Sequence, residues 1–142
     1  LVIAQNDPPG NNVTSVRLGA RVPITLTASG AALISQMPQH QRAEICAGVE
    51  FATRDHNKVF EESVDQVITT GVCVSPSMVI AGVQNISVPI LDYSGLVVAS
   101  LTIPYIQRLI STNDPDLDQA KTALAETGKN ISIRLGAGVS TL

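Results

Sequence analysis

Residues 82–105, GVQNISVPILDYSGLVVASLTIPY, decide how this chain folds. They read as two β-strands joined by the turn Asp92-Tyr93-Ser94-Gly95. Side chains alternate between the two faces of a strand. Ile86, Val88 and Ile90 therefore share one face of the first strand, with Asn85, Ser87 and Pro89 opposite. On the second strand Val97, Ala99, Leu101 and Ile103 share a face, which leaves Val98, Ser100, Thr102 and Pro104 on the other. One face is an ordinary apolar core. The other is small, uncharged and hydroxyl-bearing. A face open to water normally carries Lys, Glu or Arg, and this one carries none. It is expected to be covered, by a helix or by a small ligand, and that choice decides the function.

Outward from this hairpin, the chain alternates strands and helices. Residues 1–5 and Val13 to Leu18 read as strands around the turn Asn6 to Asn12, and Gly19 to Pro23 as a loop. Thr27 is placed to N-cap a helix running through Ser35, whose small residues Ala28, Ser29, Gly30, Ala31 and Ala32 allow close approach to a sheet. Pro38 ends it, and a second helix covers about Gln39 to Ala47. Asp55 or Asn57 is expected to cap a third helix through Thr70, with Phe60, Val64, Val67 and Ile68 as its apolar stripe. Glu61, Glu62, Asp65 and Gln66 form its wet face, and Gly71 its C-cap. A short strand, Val72 to Ser75, precedes the hairpin. The last helix is expected from Asp114, as N-cap, to Leu135, with Pro115 in its first turn and Leu117, Ala120, Leu124, Ile131 and Leu135 buried. Gly128 inside it costs about 1 kcal/mol of helix propensity. The class is α+β, a mostly antiparallel sheet flanked by helices.

Composition narrows the function. A chain of 142 residues suits one domain with its own core. Charged residues make up 15% and the net charge is −3, with no basic cluster, which argues against direct nucleic-acid binding by this segment. No apolar run reaches the ~18 residues of a membrane span. Cys46 and Cys73 have no short spacing and sit in apolar company, so a reducing, cytoplasmic setting and buried thiols are expected. No spacing of His40, Cys46, His56 and Cys73 supports a metal site, and no cofactor motif occurs. Sparse charge with a 44% hydrophobic fraction points to self-association as a dimer or tetramer.

Catalytic constellations are missing. There is no GxSxG and no phosphate loop. His40 and Cys46 are six positions apart, so on one helix they do not face each other. No catalytic residue is assigned, and the chain is not read as an enzyme.

The order of motifs resembles the effector-binding domain of IclR-type bacterial transcriptional regulators. VRLGARVPITLTASGAALI carries the first landmark in Gly19, Pro23, Thr27, Ala28, Ser29 and Gly30. The hairpin carries the second in Gly82, Ser87, Val88, Pro89, Asp92, Gly95, Ala99, Leu101 and Thr102. The resemblance covers about residues 13–136 and implies a GAF-like domain that binds a small metabolite. It implies a DNA-binding winged helix-turn-helix in an N-terminal part outside this chain, and an effector domain whose first helix and strand also lie outside it. It places the ligand beneath the Gly19–Pro23 loop, with backbone N–H groups near Gly19 and Ala20 meeting its polar end. Val22 and Val79 flank the site, with Arg21 and Phe51 as further loop or lid candidates. Ser87, Pro89, Thr102 and Pro104 line the floor. Family members that bind very small oxo-acids carry an acidic residue before the equivalent of Gly82, where this chain reads Ser77-Met78-Val79-Ile80-Ala81. They also carry Cys and Ser where it has Pro89 and Pro104. A larger carboxylic or aromatic acid is the better expectation. The residues also leave open a small cytoplasmic enzyme on the same fold, using Cys46 or Cys73, and a purely structural dimerisation module.

Overall fold

The computed structural model of the protein describes residues 1–7, 16–47, 54–107 and 113–138. In chain order, a 3-10 turn (Ile24–Leu26) leads into α1 (Ala28–Ile34), α2 (Gln39–Ala47) and α3 (Arg54–Thr70). Then come β1 (Cys73–Pro76), β2 (Gln84–Leu91), β3 (Val97–Tyr105) and α4 (Leu117–Arg134). The three strands form an antiparallel sheet in the order β1-β2-β3.

The hairpin follows its alternation. Ile86 pairs with Ile103, Val88 with Leu101 and Ile90 with Ala99. This face receives α4, which packs Ala120 and Leu124 against Ile86 and Val88. The register shifts at Ile90/Leu91, just before the turn. Gly95 there has φ +77°. The Asp92 carboxylate accepts from the Ser94 hydroxyl (2.6 Å) and from the Ser94 and Leu96 amides. The Ser94 hydroxyl, followed by these amides, holds the Asp92 carboxyl below the usual carboxylate range.

The opposite face is covered in part by α1. Thr27 caps this helix, accepting from the Gly30 N–H at 3.1 Å. A Cβ on Gly30 would sit 1.7 Å from the Ile24 carbonyl oxygen, so only glycine fits there. Ala28, Ala31, Ala32 and Ile34 of α1 pack with Phe60, Val64 and Val67 of α3 and Cys73 of β1.

Several sequence expectations shift. Val2 exchanges backbone hydrogen bonds with Gly19 and Ala20, but neither residues 1–5 nor Val16 to Leu18 form a regular strand. The earlier part of the second expected strand, with most of the turn before it, lies outside the described residues, as does Phe51. Helix α3 already includes Asp55 and Asn57, so neither is its cap. Ile68 is 53% exposed and drops out of the apolar stripe. Helix α4 is capped by Asp116, not Asp114. Asp116 accepts from the Gln119 N–H (2.8 Å) while the Gln119 side chain accepts from the Asp116 N–H (3.0 Å). This reciprocal pair satisfies two terminal amides at once and fixes the start. Beyond Leu124 the buried positions are Gly128 and Ser132, and Leu135 is 47% exposed. The helix leans close to the sheet through small residues there.

Candidate functional site

The hydroxyl-bearing face of the sheet is the candidate site. Its floor runs in cross-strand rows: Cys73 opposite Ser87 opposite Thr102, Ser75 opposite Asn85 opposite Pro104, and Pro89 opposite Ser100. All are uncharged: the rows carry hydroxyls, an amide, a thiol and proline rings, with no ion pair. Ser87 is fully buried, and its Oγ lies 2.7 Å from the Thr102 Oγ1. Thr102 and Pro104 are exposed, and Pro89 is half-buried. Four of the expected residues, Ser87, Pro89, Thr102 and Pro104, thus share one face of one hairpin.

The loop residues stand differently. Gly19 has φ +81°, a conformation glycine adopts without strain. Its N–H donates to the Val2 carbonyl at 2.9 Å, and the Ala20 N–H donates to the Arg17 carbonyl at 2.9 Å. The chain itself therefore takes up the two amides expected to meet a ligand. Val22 and Arg21 are exposed. Val79 is 76% exposed in the β1–β2 connection, where the Ser77 hydroxyl accepts from the Val79 and Ile80 amides.

Two hollows adjoin the described part of the sheet, the first on this face and the second at the end of the sheet on the α4 side. One, of about 30 Å³, lies between α3 and β1 and is lined by Thr27, His56, Phe60, Ser63, Ser75 and Met78, among others. It is large enough for a water or two. His56 is part of that lining. The other, of about 310 Å³, is a cleft at the end of the sheet beside Pro76, Gly82, Val83, Gln84, Tyr105 and Gln107. Asn85 and Ser100 belong to the floor although the expected lining omits them. Strand alternation alone was enough to include both.

The thiols are poorly placed for nucleophilic chemistry. Burial pushes Cys73 up, against smaller opposing effects of the Ser63 and Ser75 hydroxyls. Burial, then Glu61, raises Cys46, with Arg42 opposing. Among the described residues no group of three His, Cys, Asp or Glu is placed to hold a metal.

The family model "Bacterial transcriptional regulator IclR C-terminal" matches residues 1–133. BlcR from Agobacterium tumefaciens superposes with a TM-score of 0.70 at 22% identity, over 86% of this chain and 51% of that one. An IclR homologue from Microbacterium hydrocarbonoxydans, complexed with 4-hydroxybenzoate, gives 0.68 at 21% identity, over 86% and 50%. The inducer-binding domain of PobR from Acinetobacter, a double mutant in complex with 3-hydroxybenzoic acid, gives 0.64 at 26% identity, over 84% and 72%. The chain spans about half the length of BlcR and of the Microbacterium protein. None of the curated proteins matches it. By the family match, and by an α+β fold shared with these regulators, the chain belongs to the IclR family of bacterial transcriptional regulators, as a C-terminal effector-binding domain.

Proposed function

We propose that the face bearing Ser87, Pro89, Thr102 and Pro104 binds a small organic acid, with an aromatic acid the best fit. The observation that carries this is a hydroxyl-bearing, uncharged sheet face that α1 covers only in part, leaving Thr102 and Pro104 exposed. The benzoates held by two solved relatives support the ligand class. Residues 1–142 act as one effector domain, with Gly19, Ala20, Val22 and Val79 at the rim of the site. Occupancy controls DNA binding by an N-terminal winged helix-turn-helix of the whole regulator, and this domain itself touches no DNA. The protein works in the cytoplasm and performs no catalysis. No helix among the described residues is long and apolar enough to cross a membrane. Exposed Leu1, Ile3, Leu18, Leu96 and Val98 support self-association as a dimer or tetramer.

Calorimetric titration with benzoate-type acids tests the site. Thr102→Val keeps the shape but removes both the hydrogen bond to a ligand and the partner of the buried Ser87 hydroxyl, so affinity falls about three- to tenfold and stability by about 1–3 kcal/mol. Leu101→Ala, on the α4 side, lowers stability by about 2 kcal/mol and leaves the affinity of the folded fraction unchanged. Unchanged affinity in Thr102→Val, together with a direct affinity loss in Leu101→Ala, places the site elsewhere.

A further inference from the structure

The hydroxyls of Ser87 and Thr102 lie 2.7 Å apart, a distance at which one must donate to the other. Their surroundings are unequal. Ser87 is on the central strand with none of its surface exposed, flanked by Cys73 on one side and Thr102 on the other. The Cys73 thiol interacts with the Ser63 and Ser75 hydroxyls. Among the described residues, the Ser87 hydroxyl has no hydrogen-bond partner besides Thr102. Thr102 lies on the edge strand and is exposed.

This asymmetry fixes the proton. If Thr102 donated to Ser87, the Ser87 proton would be buried with no acceptor, a state that native structures avoid. If Ser87 donates to Thr102, every proton is satisfied, because the Thr102 proton faces solvent or ligand. We infer that Ser87 is a positioning residue: it donates to Thr102 and turns the Thr102 hydroxyl into a directed donor that selects ligands presenting an acceptor oxygen there, as a carboxylate or phenolate does. The inference rests on this face being the effector site. With Ser87 occupying one Thr102 lone pair, the pair favours an acid by presenting the Thr102 proton to its oxygen. Donation from Ser87 also polarises the Thr102 O–H and strengthens the outward bond. Ser87 itself touches no ligand.

Neutron diffraction from deuterium-exchanged crystals of the protein tests the proton directly. The expected map places the Ser87 deuteron on the line to Thr102 Oγ1 and the Thr102 deuteron away from Ser87. A Thr102 deuteron lying between the two oxygens overturns the inference. Calorimetry with 4-hydroxybenzoate supplies the second arm, in wild type, Ser87→Ala, Thr102→Val and the double variant. Ser87→Ala is expected to weaken binding about threefold, with no further loss when added to Thr102→Val. An undiminished Ser87→Ala effect in the Thr102→Val background shows that Ser87 does not act through Thr102, and overturns the inference as well. Absence of 4-hydroxybenzoate binding in the wild type counts against the aromatic-acid reading, and the neutron map then decides the proton's position by itself.

Discussion

The Ser132 hydroxyl on α4 accepts a hydrogen bond from the backbone N–H of Leu91 at 2.9 Å, in the buried seam where β2 shifts register. It also donates to the Gly128 carbonyl one turn back, at 2.9 Å. A side chain that would ordinarily weaken a helix interior here fastens the helix to the sheet. Ser132→Ala removes the acceptor and should destabilise the domain by about 1–3 kcal/mol in urea unfolding. A change within a few tenths of a kcal/mol would mean that the Leu91 amide finds another partner.

Gly128 sits one turn earlier on the same stripe. A Cβ there would lie 2.7 Å from the Val88 Cγ2 and 3.5 Å from the Ile90 Cδ1. Val88 is buried and β-branched, so its methyl has little freedom to move. Helix propensity favours alanine at an interior glycine by about 1 kcal/mol. Close packing reverses the sign, and Gly128→Ala should destabilise by about 1–3 kcal/mol. A higher melting temperature for that variant would contradict the packing.

The thiols separate a binding domain from an enzyme. Burial raises both Cys46 and Cys73 above the ordinary thiol range. At neutral pH each should react with an aromatic disulfide reagent more slowly than a free thiol, and Cys73, fully buried, more slowly than Cys46. Rapid labelling of either in the folded protein would reopen a nucleophilic role.

Much of the fold is legible in the sequence where a local rule has few solutions. Period two allows only one division of residues 85–90 and 99–104, and the sheet keeps it there; the register shift at Ile90/Leu91 pairs Val97 with Leu91 and takes Val97 off the face of Ala99. Pro38 and the run of small residues after Thr27 mark off α1 and α2. The cap of α4 is also legible, because Asp116 with Gln119 three residues later is a reciprocal capping pair, which Asp114-Pro115 is not. The buried stripe beyond Leu124 was not. Gly128 and Ser132 look unfavourable in an isolated helix, and their value comes from how near β2 lies, which is a tertiary fact. At the candidate site, alternation gathers Ser87, Pro89, Thr102 and Pro104. It says nothing of the Gly19 and Ala20 amides, whose partners, Val2 and Arg17, depend on how the N-terminal segment folds back.

The most direct test of the central claim is an NMR titration with a panel of small acids that includes 3- and 4-hydroxybenzoate. Saturable shifts should concentrate on Ser87, Ser100 and Thr102, while Leu124 and Ile86 on the α4 side stay nearly fixed. Saturable shifts centred instead on the α4 side, or on the cleft between Gly82 and Tyr105, would contradict the assignment of the hydroxyl-bearing face as the effector site.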